Sequence, residues 1–267
     1  MMTQWASELA PVLSIETIGG VLCDLVLKAP EIAAAAGPGQ FVAVASGDAP
    51  EPMLLPRTFD LHWADPASGR IEVMFRVKGH GTGLLSALAP GDRVRVNGPF
   101  GRRIDALLQG QRTVALVGRG SGISPLYLVA RSAREGGAVV HSYLSARTEA
   151  LLRPFEKMRG TGDVVAATDE TEPGHLITDR LARDLANWRP ELTIVVGSRR
   201  LAKAALRLGR AHKFPVYGFA DAYMGCGFGH CKGCAVPTVH GYVLACLDGP
   251  VIDLRSVNDA YWLAAPA

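Results

Sequence analysis

The sequence predicts a multidomain α+β protein built in three parts. Short alternating apolar segments, separated by Gly and Pro turns, fill residues 1–104 and predict an antiparallel β-barrel. Strand and helix patterns then alternate over residues 105–215, which is typical of a doubly wound parallel α/β domain. Four of the five cysteines fall in the last part, residues 216–267, and predict a small Cys-rich lobe.

Composition narrows the class of protein before any motif is considered. Hydrophobic residues make up 48% of the 267 residues and charged residues 20%, too apolar for a disordered chain. The net charge of +3 gives no reason to expect a nucleic-acid surface, and no apolar run approaches the roughly 18 residues of a membrane span. The opening residues 1–5 lack the pattern of a signal peptide, and clustered cysteines favour a reducing compartment. We therefore expect a cytoplasmic protein.

Five segments of the first part are predicted strands because apolar residues recur at every second position. The clearest is 70–77, in which Ile71, Val73, Phe75 and Val77 share one face. Several short strands at this spacing favour a small antiparallel barrel. The five predicted strands are 21–27, 40–44, 58–63, 70–77 and 93–96.

Two stretches of the barrel are candidates for a phosphate or ligand site. One is Arg57-Thr58-Phe59-Asp60, although Arg57 could equally form a surface ion pair. The other is Gly79-His80-Gly81-Thr82-Gly83, directly after the clearest strand. Glycines and a Thr at the start of a short helix leave amide N–H groups free for a phosphate, helped by the helix dipole and the Thr hydroxyl. The alternative is an ordinary flexible loop with a Thr cap.

The second part predicts a parallel sheet covered by helices on both faces. Its first strand enters the glycine turn Gly118-Arg119-Gly120-Ser121-Gly122, and Pro125 suits the first turn of the following helix. The first turn of a doubly wound sheet binds a nucleotide. These glycines do not form the complete Gly-x-Gly-x-x-Gly pattern, so a plain strand-to-helix turn stays open. The predicted strands are 111–118, 138–144, 163–168 and 192–197, and the predicted helices are 124–134, 151–158, 178–187 and 200–211.

Four cysteines spaced C-x4-C-x2-C-x11-C carry the most specific signal in the chain. They are Cys226, Cys231, Cys234 and Cys246. The first three match the ligand run of plant-type [2Fe–2S] proteins, and the interleaved glycines allow tight turns that aim amide N–H groups at sulfur. A zinc site, disulfides or buried spare cysteines are the alternatives, but zinc ribbons usually have two CxxC pairs and this chain has one. Cys23 lies in an alternating strand and is predicted to be a core residue.

An antiparallel barrel, a parallel α/β domain and a cysteine-rich tail together resemble the ferredoxin reductase superfamily. The tail resembles that of the electron-transfer subunits of B-type dihydroorotate dehydrogenase. It reads Met224-x-Cys226-Gly227-x-Gly229-x-Cys231-x-Gly233-Cys234, and then Cys246-x-Asp248-Gly249-Pro250-Val251. The resemblance covers nearly the whole chain. It implies FAD on the barrel, NAD(P) on the α/β domain and a [2Fe–2S] cluster in the lobe.

The resemblance also assigns residues to these cofactors. Arg57 to Asp60 falls where the family reads Arg-Pro-x-Ser at the FAD, and Gly81-Thr82 matches the Gly-Thr that holds the FAD pyrophosphate. The expected cofactor-binding residues are Arg57, Thr58, Phe59, Asp60, Met74, Phe75, Arg76, Gly81, Thr82, Gly118, Gly120 and Gly122. The expected metal ligands are Cys226, Cys231, Cys234 and Cys246. No catalytic acid, base or nucleophile is expected.

Three departures from the family pattern bear on function. Asp60 replaces a Ser near the flavin, and an ionised carboxylate can only accept hydrogen bonds. Arg119 replaces a glycine of the nucleotide turn. Val196-Gly197-Ser198-Arg199-Arg200 replaces the usual Cys-Gly-Pro-x-x that faces the nicotinamide. Arg199 and Arg200 would favour a phosphorylated nucleotide, or the nucleotide site has lost its function.

The implied function is electron transfer between NAD and a dihydroorotate dehydrogenase catalytic subunit, in a hetero-oligomer expected to be a heterotetramer, in pyrimidine biosynthesis. A related ferredoxin:NAD(P) oxidoreductase or hydrogenase diaphorase subunit is one alternative, and a non-catalytic zinc-binding module is another. Nucleic acid and membrane are not expected partners. Apolar residues near the cysteines could form the partner interface or merely cover the cluster. They are Tyr223, Met224, Phe228, Val236 and Tyr242.

Overall fold

The structure, a computed structural model, describes residues 5–45 and 55–263. Residues 1–4, on which the expectation about a signal peptide partly depends, lie outside the described residues. Among the helices that are described, none is long and apolar enough to cross a bilayer. The helices are α1 Pro30–Ala35, α2 His80–Ser86, α3 Asp105–Leu108, α4 Leu126–Glu135, α5 Thr178–Asp184, α6 Arg199–His212 and α7 Asp259–Leu263.

Six antiparallel strands close into a barrel in the order β1-β2-β5-β4-β3-β6. They are β1 Ala6–Ile18, β2 Leu22–Lys28, β3 Phe41–Ala45, β4 Arg57–Asp65, β5 Arg70–Arg76 and β6 Arg93–Phe100. Alternate side chains fill the interior, among them the fully buried Leu25, Val73 and Val96. The predicted barrel is confirmed. Strand β1 was not predicted, because few of its side chains face the interior and Pro11 interrupts its pattern.

A six-stranded sheet follows the barrel, in the order β14-β11-β10-β7-β8-β9. Its strands are β7 Thr113–Arg119, β8 Val139–Ala146, β9 Asp163–Thr168, β10 Leu192–Val196, β11 Val216–Phe219 and β14 Val251–Asp253. All pairs are parallel except β11 with β14, so the predicted parallel sheet is confirmed. The strand order reverses between β7 and β10, and this reversal is where an open α/β sheet binds its ligand.

The cysteine-rich lobe is an excursion from this sheet. The chain leaves after β11 and returns at β14, and between them lies the hairpin of β12 Ala235–Thr238 and β13 Gly241–Leu244. Strand β11 lies before the lobe and β14 after it, and the two pair with each other. The boundary expected between the α/β domain and the lobe at residue 216 therefore falls inside the sheet. The helix expected at 151–158 is instead two 3-10 segments, Glu149–Leu151 and Arg153–Gly160, since Pro154 cannot donate a helical hydrogen bond.

Candidate functional site

The hairpin β12–β13 explains the eleven-residue gap between the last two cysteines of the motif. Cys234 immediately precedes β12 and Cys246 follows β13, so the two antiparallel strands return the chain to its starting point. The Ala245 amide donates to the Cys234 carbonyl at 3.1 Å. The two sulfur atoms lie 3.2 Å apart, and both side chains are almost completely buried. This pair forms the inner half of the site.

Cys226 and Cys231 form the outer half. Cys231 is exposed and Cys226 is half-buried, and the Cys231 amide lies 3.4 Å from the Cys226 sulfur. Burial raises the pKa of the Cys226 thiol, but hydrogen bonds from the Cys231 and Phe228 amides outweigh burial and bring that pKa to about 7. Within residues 5–45 and 55–263, no three His, Cys, Asp or Glu side chains surround one metal position. Two thiols of the motif are thus in direct contact in the inner half, while an amide-to-sulfur contact links Cys226 and Cys231 in the outer half.

The glycines of the loop differ in backbone conformation. Gly227 and Gly229 have φ of +82° and +84°, a region that side chains disfavour, so they make the tight turns expected from the sequence. Gly225 and Gly233 lie beside the Cys231 sulfur, which a Cβ at these positions would meet at ordinary contact distances of 3.4 and 3.6 Å. Amide N–H groups point at sulfur as predicted: Gly229 lies 3.1 Å from the Cys246 sulfur, and Gly233 lies 3.5 Å from that of Cys231.

The cysteine loop sits on the outer face of the barrel. A Cβ on Gly227 would lie 3.6 Å from both Phe41 and Phe100, and the Phe228 ring centroid is 6.4 Å from that of Phe100. Phe41 is also the direct partner of Asp60 across β3 and β4, so these two side chains share one face of the sheet. The predicted cluster ligands and the predicted flavin strand therefore meet at one layer of aromatic side chains.

Strand alternation separates the predicted flavin residues into two groups. Phe75 points into the barrel, where it is 3% exposed and stacks on Phe59 with ring centroids 4.8 Å apart. Met74 faces outward and packs against the core of the α/β domain, and Arg76 lies on the same outward side. Of these four residues, only Arg76 lines the cavity between the barrel and the α/β domain, while the Met74 side chain is buried where the barrel packs on that domain. Phe59 and Phe75 can offer only their backbone there.

Arg57 and the glycine loop, distant in sequence, are brought together by the barrel. The Arg57 guanidinium lies against Gly81, so close that a Cβ on Gly81 would come within 2.6 Å of Nε. The first amides of α2 have no partner inside the helix, and a guanidinium beside them completes an anion cradle. The Thr82 hydroxyl is already engaged: it accepts from the amides of Lys78 and Gly79 and donates to the Gly79 carbonyl. The amides and Arg57 are therefore the groups that fit a phosphate.

Asp60 is half-buried on the same outward face as Phe41. Burial raises the pKa of its carboxyl from 3.8 to about 7. A carboxyl with that pKa is protonated in about half of the molecules at neutral pH and can then donate a hydrogen bond. The replacement of the family's Ser by Asp at this position thus keeps a donor available near the flavin position.

The glycine turn after β7 is packed as a nucleotide turn requires. Gly118 and Gly122 have no room for a side chain, since a Cβ would meet Leu126 at 2.8 Å and the Val196 backbone at 3.1 Å, and Gly120 has φ of +59°. Gly118 thus allows α4 to pack closely, and Gly122 lets the turn approach β10. The tight turn that the glycines predicted is present.

A buried histidine ties this turn to the barrel. His62 of β4 is fully buried, and its Nδ1 lies 2.6 Å from the Ser124 carbonyl oxygen. Burial lowers the pKa of His62 to about 4, so the ring is neutral and Nδ1 carries the hydrogen that it donates. The sequence did not indicate this contact, because nothing in a strand pattern says which neighbouring domain a side chain meets.

A cavity of about 420 Å³ lies at the carboxyl ends of the strands, between the barrel and the α/β domain. It is bounded by Leu22 and Arg76 from the barrel and by Arg119, Arg147 and Ser198 from the sheet. Its size and position at the reversal of strand order suit a nucleotide. Arg147 was not singled out from the sequence, although its place directly after a predicted strand was the signal that could have identified it.

Arg199 has a structural role that the sequence did not suggest. Its guanidinium pairs with the Asp221 carboxylate at 3.3 Å, donates to the Asp221 carbonyl at 3.1 Å and lies over the Tyr261 ring at 4.7 Å. The Tyr261 hydroxyl accepts in turn from the Asp221 amide at 3.0 Å. Arg199 of α6 thus links the start of the lobe to α7. It does not line the cavity, so the expectation that it binds a nucleotide phosphate is wrong.

The apolar residues expected near the cysteines divide by burial. Tyr223, Phe228 and Tyr242 are 74%, 55% and 77% exposed, whereas Val236 is 1% exposed and belongs to the core. Val236 is therefore excluded from an interface, because alternate residues of β12 face inward. Cys23 is buried in the barrel core as predicted, far along the chain from the other four.

Comparisons with known proteins agree with this architecture. A family model described as the iron-sulfur cluster binding domain of dihydroorotate dehydrogenase B matches residues 221–258. The chain is similar to "Dihydroorotate dehydrogenase B (NAD(+)), electron transfer subunit" of Desulforamulus reducens, with 33% identity over 249 residues, 91% of this chain and 94% of that protein. The protein of the same name from Geobacillus thermodenitrificans is 33% identical over 251 residues, 91% of this chain and 95% of the relative.

Solved structures support the fold alone, because their sequence identity is low. An NADH-dependent reduced ferredoxin-NADP oxidoreductase superposes with a TM-score of 0.84 at 24% identity, covering 96% of this chain and 92% of that one. The ferredoxin reductase of carbazole 1,9a-dioxygenase gives 0.64 at 19% identity, covering 82% and 70%. Together with the relatives matched over almost their whole length, these findings show that the chain belongs to the family of electron transfer subunits of dihydroorotate dehydrogenase B.

Proposed function

We propose that this chain transfers electrons between a pyridine nucleotide and a dihydroorotate dehydrogenase catalytic subunit. FAD, when bound, exchanges two electrons with the nicotinamide as a hydride and passes them on singly through a [2Fe–2S] cluster. One observation carries the proposal. Gly227 of the cysteine loop packs against Phe41 and Phe100 on the outer face of the barrel. Asp60, in the strand predicted to bind flavin, pairs with Phe41 and lies on the same face. This proximity supports a short path between the proposed two-electron carrier and the proposed one-electron carrier.

The chain's own residues have binding and positioning roles in this proposal. Arg57 and the first amides of α2 hold the FAD pyrophosphate, while Met74 and Arg76 border the flavin from β5. The thiolates of Cys226, Cys231, Cys234 and Cys246 hold the cluster. The amides of Gly229, Cys231 and Gly233 donate to sulfur, which stabilises negative charge there and so helps set the potential.

The proposed partner surface is the rim around the cysteine loop, defined as Trp5, Phe228 and Leu247. These side chains are 57%, 55% and 52% exposed, and Phe100 lies between the rings of Trp5 and Phe228. Exposed aromatic and large aliphatic residues are typical of the core of a protein interface. The rim lies next to the exposed Cys231, where electrons would leave or enter. A heterotetrameric assembly and a cytoplasmic location stay predictions.

The test uses the intact chain purified without oxygen. We expect iron and acid-labile sulfide, FAD rather than FMN, and reduction of an artificial dye by NAD(P)H. Dihydroorotate oxidation should appear only after the catalytic subunit is added. Phe228→Asp should abolish this coupling and leave dye reduction intact. Val139→Asp is the matched control, since Val139 is 55% exposed at the amino end of β8 and should couple normally.

Four results would contradict the proposal. Zinc in place of iron would make the lobe a structural module, and FMN would remove the need for a pyrophosphate cradle. Dihydroorotate oxidation by the isolated chain would show that no catalytic partner is needed. Coupling to a ferredoxin but not to the dehydrogenase subunit would favour the ferredoxin oxidoreductase alternative.

A further inference from the structure

The charged side chains that line the cavity at the carboxyl edge of the sheet are all positive. Arg76, Arg119 and Arg147 line it, and no carboxylate occurs among its described lining residues. A dinucleotide bound at the reversal of strand order directs its adenosine ribose toward the end of the second strand, here β8. At that position an acidic side chain receives the ribose 2′-hydroxyl of NAD, whereas an arginine accommodates the 2′-phosphate of NADP. In this chain β8 ends at Ala146, and Arg147 follows directly.

One acidic group at this edge of the sheet, Asp169, is already paired and is unavailable to a ribose. Asp169 follows β9, and both of its carboxylate oxygens accept from Nη2 of Arg119, at 2.7 and 2.8 Å. Nη1 of Arg119 also lies 3.4 Å from the Ser145 hydroxyl at the end of β8. The Arg119 side chain therefore crosses from β7 to β9, and its Nη2 donates to both oxygens of the Asp169 carboxylate. This ion pair neutralises Asp169, so its carboxylate is not free to accept from a ribose 2′-hydroxyl.

Arg147 differs from the other arginines of this edge. Arg119 is paired with Asp169, and Arg199 is paired with Asp221 outside the cavity. In the part of the chain that the structure describes, Arg147 is exposed and has no ion-pair partner. Arg76 lies on the barrel side, where the flavin is proposed. Arg147 is thus the guanidinium left to bind an anionic group at the end of β8.

We infer that the nucleotide of this chain is 2′-phosphorylated, NADPH or NADP⁺, and that Arg147 binds the 2′-phosphate. Arg119 and Asp169 are positioning residues that remove the acidic ribose site. The inference rests on the proposed function, since it concerns the nucleotide that exchanges electrons with the flavin. It separates this chain from the curated relatives, which are named for NAD(+).

The test is a calorimetric titration of the flavin- and cluster-loaded protein with two fragments that differ by one group. Adenosine 2′,5′-bisphosphate carries the 2′-phosphate, and adenosine 5′-monophosphate lacks it. An arginine–phosphate contact predicts that the bisphosphate binds about 10- to 100-fold more tightly. Arg147→Ala should erase most of this difference without weakening the monophosphate, and Arg147→Lys should keep part of it. Arg134→Ala, at the far end of α4, is the matched control and should bind like the wild type.

The same proteins give a second readout in dye reduction. The ratio of kcat/KM for NADPH to that for NADH should exceed one in the wild type and fall about 10-fold or more in Arg147→Ala. Equal binding of the two fragments, binding of neither, or equal loss of both in Arg147→Ala overturns the inference. A loaded protein that prefers NADH overturns it too, and leaves the proposed function intact. A chain that holds no FAD or iron, or that reduces dye with neither nucleotide, overturns the proposed function itself.

Discussion

Substituting Gly81 by Ala moves the Arg57 guanidinium without removing it. An alanine Cβ there would lie 2.6 Å from Nε and Nη2 of Arg57 and 2.7 Å from Cζ. Since the arginine is flexible, it will move aside instead of unfolding the loop. Gly83 lies in the same helix, and a Cβ there would meet no atom within 4 Å. Gly83→Ala is therefore a matched control with the same gain in helix propensity.

The size of the expected effect follows from hydrogen-bond geometry. Restoring ordinary contact requires the guanidinium to shift by roughly 0.8 Å, which lengthens a charge-assisted bond of about 2.8 Å to about 3.6 Å, beyond hydrogen-bonding distance. Loss of such a bond costs about 1.5–3 kcal/mol, so FAD should bind about 10- to 150-fold more weakly in Gly81→Ala. Gly83→Ala should bind FAD like the wild type. Flavin fluorescence during titration of the flavin-free protein measures both.

A double-mutant cycle of Gly81→Ala and Arg57→Ala tests whether the alanine acts through the arginine. If Gly81→Ala acts by displacing Arg57, it should have little further effect in an Arg57→Ala background, because the contact is already lost. Additive losses would mean that the two residues act independently. Unchanged FAD affinity in Gly81→Ala would remove Arg57 from the pyrophosphate site altogether.

The remaining predictions concern the cluster and the flavin face. Cys234→Ala should lose iron and visible colour while Cys23→Ala keeps both, and equal iron contents in the two purified variants would exclude Cys234 as a ligand. Gly229→Ala should release iron to a chelator faster than Gly160→Ala, whose Cβ is free of contacts, because φ is +84° at Gly229 and its Cβ would approach Leu247 to 2.3 Å. Asp60→Asn should change the pH dependence of the thermal midpoint. The folded-state pKa of Asp60 is raised to about 7, so its stabilising contribution is complete below about pH 3.8 and lost as pH rises through 7. The wild type should therefore lose stability relative to Asp60→Asn between pH 5 and 8, and parallel melting curves would contradict this.

The sequence predicted those elements whose pattern of residues is contained within a short stretch of the chain. Strand β5 alternates cleanly, the strands of the parallel sheet are apolar runs, and the cysteine spacing is a ligand pattern whose hairpin the structure supplies. Strands β11 and β14 were missed because they have four and three residues, and their pairing joins parts of the chain separated by the whole lobe. No window of sequence contains that information.

The site was predicted best where ligands are adjacent in sequence and least well where the fold brings them together. Arg57 was singled out, but its contact with Gly81 depends on barrel closure. Arg199 was expected at the nucleotide because its segment replaces the family motif that faces the nicotinamide, yet Asp221 and Tyr261 hold it against the lobe. Arg147 does line the cavity. Both arginines follow a strand of the parallel sheet, so sequence position alone does not show which one reaches the nucleotide cavity. The tertiary contacts show it.

The most direct test of the central claim is an electron paramagnetic resonance titration of the loaded chain with NADPH, without dye or partner. The account predicts that the signal of a reduced [2Fe–2S] cluster appears together with flavin reduction. It also predicts that the signal is absent from protein stripped of FAD, because electrons reach the cluster only through the flavin. Complete flavin reduction with no cluster signal would contradict the account, and so would cluster reduction in the flavin-free protein.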